Sequence, residues 1–181
     1  MKKISCLILA MLFFIIIDVQ AQFNVGATMG VQIPVGSSME GFKTGFGINL
    51  TGKYLIKETM AVGINVGYLG LGAPETGVDE VSLKTSFIPL TALFEYYLGS
   101  EKLKPYLGAD MGAYIFKTSA GASGMTISAS KTYFGFAPVL GIKYDLNDLI
   151  SVVGNLKYHW VATEGEHATM IGIHAGILVK F

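Results

Sequence analysis

The fold is decided by the stretch Ile171-Gly172-Ile173-His174-Ala175-Gly176-Ile177-Leu178-Val179-Lys180-Phe181 at the end of the chain. Every second residue from Ile171 to Phe181 is apolar, and the row between them contains His174, Lys180 and two glycines. Alternation with a period of two is the pattern of a β-strand whose two faces meet different surroundings. The stretch therefore predicts a strand with one apolar face and one more polar face.

The same alternation recurs along the chain towards its N-terminus. In each segment one row of alternate residues is apolar and carries no charge, while the opposite row holds the lysines, asparagines and glycines. The predicted strands span approximately residues 22–33, 42–54, 60–68, 87–97, 107–115, 133–144, 150–160 and 171–181. We therefore expect eight strands.

The connections between these segments alternate in length. The short ones are Lys57-Glu58, Gly99 to Leu103 and Leu146-Asn147-Asp148. The longer ones are Pro34 to Gly41, Gly72 to Glu80, Ser119 to Ser130 and Thr163 to His167. Bacterial outer-membrane barrels have an even strand number, short periplasmic turns and longer outer loops. The pattern predicts an all-β protein in which residues 22–181 form one eight-stranded antiparallel up-and-down transmembrane β-barrel.

Composition and the strand ends indicate which face meets lipid. Apolar residues make up 51% of the chain and charged residues only 14%, which is an unusual balance for a soluble barrel. The apolar rows are about as long as the roughly 9–11 residues that cross a bilayer in a tilted strand. Aromatic residues at the row ends fit the membrane interfaces; they are Tyr54, Tyr68, Tyr96, Tyr144, Trp160 and Phe181. Because Pro89 and Pro138 lack an N–H donor, we expect a bulge or a strand end near each.

The first 21 residues have the features of a secretory signal peptide. Lys2 and Lys3 precede an apolar run that ends near Ile17, and Ala21 supplies a small residue for cleavage. The run is shorter than the roughly 20 residues of a membrane-spanning helix. Cys6 lies in this segment, so the expected mature chain has no cysteine and no disulfide. We expect export by a cleaved signal peptide at 1–21.

Several motifs resemble those of a known family. The runs Phe87-Ile88-Pro89-Leu90-Thr91-Ala92-Leu93-Phe94-Glu95-Tyr96-Tyr97-Leu98 and Lys104-Pro105-Tyr106-Leu107-Gly108-Ala109 resemble the central hairpin of the outer membrane protein β-barrel domain family. Gly141-Ile142-Lys143-Tyr144-Asp145-Leu146 and the terminal Phe181 are similar to this family as well. The resemblance is to small barrels of the OmpA, OmpX and OmpW kind, in the version of Bacteroidetes-type bacteria. It implies the fold and an outer-membrane location, and it assigns no single function.

The polar row predicts the lining of the lumen. Its candidate members are Lys43, Asn49, Lys53, Asn65, Glu95, Asp110, Lys131, Lys143, Asn155, Lys157, His159, His174 and Lys180. An eight-stranded barrel is just wide enough for side chains to fill. The row therefore fits a packed plug with both acids paired, or a narrow anion-preferring path lined by lysines. His159 and His174 fit buried hydrogen-bonded residues or a pH-sensitive or catalytic pair.

Other chemistry has little support in the sequence. The formal net charge is zero and the chain contains no arginine, so nothing indicates nucleic acid as a partner. Glu164, Glu166 and His167 lie in the last outer loop and could hold a divalent cation, but three ligands on a flexible loop fit a solvated loop better, and we predict no metal site. The lipid-facing rows offer no paired base and nucleophile. We therefore expect neither an enzyme nor a bound cofactor.

Three functions remain open from the sequence. The first is a monomeric, non-enzymatic membrane scaffold that displays short loops; the second is a small passive channel, and the third is a surface-binding module or adhesin. In each case the expected partners are outer-membrane lipid and lipopolysaccharide. The terminal strand that ends at Phe181 is expected to be read by the outer-membrane assembly machinery.

Overall fold

The computed structural model describes residues 23–72, 82–99, 101–122 and 125–181. The predicted signal peptide at 1–21 lies outside these ranges, as does nearly all of the predicted loop from Gly72 to Glu80. In the ranges that are described, no helix has the length and apolar character needed to cross a membrane.

Eight strands account for nearly all of the described chain, as the alternation predicts. They are β1 Phe23–Val35, β2 Lys43–Lys57, β3 Met60–Gly72, β4 Ser82–Tyr97, β5 Leu103–Ala122, β6 Met125–Asp145, β7 Ile150–Ala162 and β8 His167–Lys180. A single turn of 3-10 helix, Ser37–Met39, interrupts the connection between β1 and β2.

The sheet closes on itself as an up-and-down barrel. Each strand pairs antiparallel with its sequence neighbour, and β1 pairs antiparallel with β8 through a ladder that runs from Asn24↔Lys180 to Val35↔Thr169. Closure removes both sheet edges from hydrocarbon, where unpaired N–H and C=O groups would cost several kcal/mol each. This confirms the predicted fold class. We call the end with the longer connections the outer end and the opposite one the inner end.

The outward row is apolar and the inward row is mixed. On β3, for example, Val62, Ile64 and Val66 are exposed, while Ala61 and Asn65 in the alternate row are buried. The same alternation holds along the body of the barrel, so the exposed surface is a continuous apolar band. Such a surface is stable only against lipid.

The two prolines interrupt hydrogen bonding without changing the register. Pro89 lies where the β3–β4 ladder passes directly from Val66↔Leu90 to Leu69↔Phe87. Pro138 lies in a similar gap in the β6–β7 ladder. The expectation of a bulge or a strand end was therefore wrong. Each proline keeps its place in the ladder with β5 on its other side, and that ladder maintains the register. Only the hydrogen bond that the missing N–H would donate is lost.

The predicted loop from Ser119 to Ser130 is also wrong, because most of it is strand. β5 continues to Ala122, β6 begins at Met125, and the pairing includes Ser119↔Ser128. Small and β-branched residues in this segment are compatible with a ladder, although its Gly and Ser content resembles a loop. Since β6 pairs with β7 only from Gly135 inwards, this hairpin projects beyond the barrel body at the outer end.

Candidate functional site

Two ion pairs occupy the middle of the lumen. Lys53 Nζ donates to Glu95 Oε2 at 2.6 Å, and Lys157 Nζ donates to Asp110 Oδ2 at 2.6 Å. All four side chains are nearly inaccessible, and Tyr97 also donates its hydroxyl proton to Glu95. Charges buried to this degree are tolerated only when they are paired and hydrogen-bonded. Each carboxylate is therefore paired with a lysine and is not available to bind an ion in the lumen.

The two lumenal histidines belong to separate hydrogen-bonded groups. Gln32 Nε2 lies 2.6 Å from His174 Nε2, and Asn155 Oδ1 lies 3.2 Å from His174 Nδ1. Because an amide nitrogen only donates, this arrangement makes His174 Nε2 the acceptor and leaves the ring proton on Nδ1. His159 instead bonds the Tyr114 hydroxyl at 2.9 Å. Both rings are buried, and each is hydrogen-bonded through at least one ring nitrogen to a lumenal side chain.

Apolar clusters lie on either side of this polar layer. The outer cluster contains Met39, Leu69, Leu71, Phe87, Tyr114, Val161, Ala168 and Met170. The inner cluster contains Ala61, Tyr97, Tyr106 and Val139. The sequence did not predict these clusters, because they depend on large side chains in an inward row that reads as mostly small and polar.

A further charged group closes the inner end. Asp145 lies within 3.3 Å of Lys104, 3.4 Å of Lys143 and 3.0 Å of Lys180, measured from carboxylate oxygen to Nζ. Ser151 Oγ donates to the same carboxylate at 2.6 Å. Asp145 was not among the predicted lumen residues, although it follows Lys143 by two positions and therefore shares its row.

Most predicted lumen residues are inward and buried in the structure. The buried ones are Asn49, Lys53, Asn65, Glu95, Asp110, Lys143, Lys157, His159 and His174. Asn155 and Lys180 are half-buried. Residues of the same row that the prediction left out include Gln32, Tyr97, Tyr106 and Tyr114, all of which are buried. Gln32, Tyr97 and Tyr114 lie in the inward rows of the predicted strands and only needed to be added to the lining, whereas Tyr106 lies one residue before the strand predicted at 107–115.

Two predicted lumen residues do not lie in the lumen. Lys131 is exposed and binds Glu164 at 2.6 Å outside the barrel body, because β6 there has passed the end of β7. Lys43 is exposed at the start of β2, where a register shift between Lys43 and Phe46 breaks the alternation. Alternation assigns a residue to the lumen only within the closed, regular part of the sheet, and neither position lies there.

The predicted aromatic residues lie near the strand ends. Tyr68, Tyr96, Tyr144 and Phe181 are exposed, and Tyr54 and Trp160 are half-exposed. Trp160 packs on His167 with ring centroids 4.6 Å apart. His167 is the histidine of the loop group Glu164, Glu166 and His167, and its ring is therefore in contact with an aromatic side chain. Across the part of the chain that is described, no three His, Cys, Asp or Glu side chains converge on a possible metal position.

The arrangement defines a class of protein. A closed eight-stranded barrel with an apolar outer surface and a filled lumen is a small integral β-barrel of the outer membrane. The sequence profile of the outer membrane protein beta-barrel domain family matches residues 6–181. The chain belongs to this family, as the resemblance of its motifs predicted, and its location is accordingly the outer membrane.

Relatives and solved structures agree with this assignment. An uncharacterized protein of Haemophilus influenzae is 25% identical over 185 residues, which cover 100% of both chains. Neisserial surface protein A has a similar structure, with a TM-score of 0.66 at 20% identity over 88% of this chain and 97% of that one. The attachment invasion locus protein Ail of Yersinia pestis gives a TM-score of 0.56 at 16% identity over 89% and 97%. At these identities the structural similarity supports the fold alone.

Proposed function

We propose that this protein is a non-enzymatic scaffold of the outer membrane, a barrel closed to solutes that displays its outer connections and its β5–β6 hairpin. The observation that carries the proposal is the pairing of Lys53 with Glu95 and of Lys157 with Asp110, each at 2.6 Å, in a layer between two apolar clusters. A lysine-lined conduction path needs ammonium groups that face water. Here the two central ammonium groups face buried carboxylates.

The proposal also covers the contacts of the barrel with lipid, with lipopolysaccharide and with other proteins. The exposed apolar band fits acyl chains, and the exposed outer hairpin fits a position among lipopolysaccharide head groups. We propose that the protein is a monomer, because closure leaves the barrel body without a sheet edge that a second copy could extend. We further propose that β8 together with the following Phe181, which is 64% exposed, is the element read by the assembly machinery.

Surface binding is the second candidate function, favoured by one observation. Ile127 is 77% exposed on the projecting hairpin, beyond the apolar band. A partner that packed against this hairpin would cover the Ile127 side chain. Such a partner would bind a scaffold of the kind proposed here, so this role would add to the first and would not replace it.

Display is tested by inserting one epitope at each end of the barrel. Gly165, in the outer connection between β7 and β8, has an open position with no atom within 4 Å of a built Cβ, so an insertion there should leave the barrel intact. The matched control carries the same epitope between Asn147 and Asp148 in the inner turn. On intact cells we expect antibody to bind the Gly165 insertion and not the control, with both detected after the outer membrane is opened. The reverse pattern would contradict the proposed orientation.

A further inference from the structure

A pocket opens at the outer mouth of the barrel, above the outer apolar cluster. Its volume is about 240 Å³, and we call it the outer-mouth pocket. The floor is made by Met39, Phe87 and Ala168, which are exposed by only 6%, 1% and 5%. The floor is therefore dry and apolar, and it blocks the way into the lumen.

Aromatic rings form the wall. Phe116 packs on Phe87 with ring centroids 5.0 Å apart and on Tyr133 with centroids 6.5 Å apart, both in tilted geometry. Phe42 from the β1–β2 connection also lines the wall. Offset and tilted rings of this kind leave faces and edges that accept another aromatic ring.

The lining has few polar groups. They are the hydroxyls of Ser38, Thr85, Thr163 and Tyr133 and the carboxylate of Glu164; Thr85 is as buried as the floor, and Glu164 is the exposed one. Among the described residues, those that line the pocket include no lysine. Glu164 Oε2 accepts from Lys131 Nζ at 2.6 Å, and Oε1 has no partner among the described residues, so Oε1 is the oxygen that a further donor would meet. An apolar floor with a few polar groups at one side is the general form of a small-molecule site.

We propose that the outer-mouth pocket binds a small molecule with one aromatic ring and an ammonium head group. A dry cavity of about 150 Å³ lined by apolar side chains already holds benzene, so the ring and a short tail fit the observed volume. Within the pocket the ring lies between Phe87, Phe116 and Tyr133, and the head group reaches Glu164 at the rim. A carboxylate head group meets the Glu164 charge and is disfavoured.

The test uses 2-phenylethylamine as the probe and the full barrel in lipid nanodiscs with ¹³C-methyl-labelled methionine. Met39 lies in the pocket floor, whereas Met29 and Met111 are 57% and 50% exposed on the lipid-facing surface. We expect a saturable shift of the Met39 methyl resonance with a Kd on the order of 0.1–1 mM, as suits a ligand of this size. The Met29 and Met111 resonances report partition into lipid and should not saturate. Ethylamine and 3-phenylpropionate should bind at least ten-fold more weakly.

Two variants and a control separate the parts of the proposal. Ala168→Leu fills the floor and should abolish the saturable shift. Because a core substitution can impair folding, Glu164→Gln provides a second variant at a side chain that is 73% exposed. It should weaken 2-phenylethylamine binding two- to five-fold, the range expected for one exposed charge contact. Glu166→Gln, in the same connection but outside the pocket lining, should leave the Kd unchanged.

Results of three kinds would overturn the proposal. The first is a Met39 shift that does not saturate with 2-phenylethylamine. The second is equal binding of 3-phenylpropionate, or no difference between Glu164→Gln and Glu166→Gln, either of which would refute the role of Glu164. The third is unchanged binding by Ala168→Leu protein that migrates as a folded barrel.

Discussion

Lys157→Met should destabilise the barrel by about 3–5 kcal/mol, because it leaves the Asp110 carboxylate buried without its cation. The two side chains are only 7% and 5% exposed, and they are joined at 2.6 Å. Replacing both partners with apolar residues, as in Asp110→Val with Lys157→Met, should restore much of the loss, since neither buried charge then remains. The measurement is the urea midpoint of unfolding for barrels in lipid vesicles. The folded fraction at each urea concentration is read from heat-modifiable gel migration.

The matched control for this prediction is the exposed pair Lys131–Glu164, which has the same 2.6 Å separation with side chains 57% and 73% exposed. Lys131→Met should leave the urea midpoint unchanged, because solvent screens an exposed pair. If Lys157→Met and Lys131→Met shift the midpoint equally, the Lys157–Asp110 pair does not lie in a dry lumen. If the double variant is no better than the single one, the cost does not come from an unpaired charge.

Valine at Gly30 or Gly176 should prevent closure of the barrel. Gly30 faces His174 across the seam between β1 and β8, and a Cβ built there lies 1.8 Å from the Ile173 carbonyl oxygen. A Cβ at Gly176 lies 2.0 Å from the Ala27 carbonyl oxygen on the opposite strand. Both obstacles are backbone atoms, so the seam must open to admit a side chain. Even alanine at either position should cost about 1–3 kcal/mol, the usual effect of overpacking.

Gly154 provides the control for this prediction. It lies on β7, and the nearest atom to a built Cβ is Ile142 Cγ2 at 3.7 Å, which is ordinary contact. Gly154→Ala should fold with the wild-type yield and urea midpoint, whereas Gly30→Ala and Gly176→Ala should both lower the midpoint. Normal folding of Gly30→Val, measured by gel migration after refolding, would show that β1 and β8 do not approach as closely as described.

The sequence was sufficient for the fold because the signal is repeated in every strand. Alternation places Val62, Ile64 and Val66 on one face whatever the neighbouring strand is, and eight such segments can satisfy their backbone in lipid only by closing. The failures occurred where this signal ends. Small residues from Ser119 to Ser130 read as a loop, although their pairing is set by the strands on either side.

The lumen was less predictable because its contacts join strands that are distant in sequence. Alternation places Lys157 and Asp110 inward, but it does not say that they meet, since this depends on barrel register and strand tilt. Similarly, Met39 lies in a connection, and nothing in the sequence around it indicates that it packs over Phe87. The outer-mouth pocket is formed by side chains of this kind and could be recognised only in the structure.

Whether the proposed barrel lumen is closed to ions can be measured as single-channel conductance in a planar bilayer. Protein shown to be folded by heat-modifiable migration should give no stable current steps, because buried ion pairs and two apolar clusters fill the interior. A stable anion-selective current that falls when Lys143 and Lys157 are replaced by glutamate would contradict the account and identify the protein as a channel.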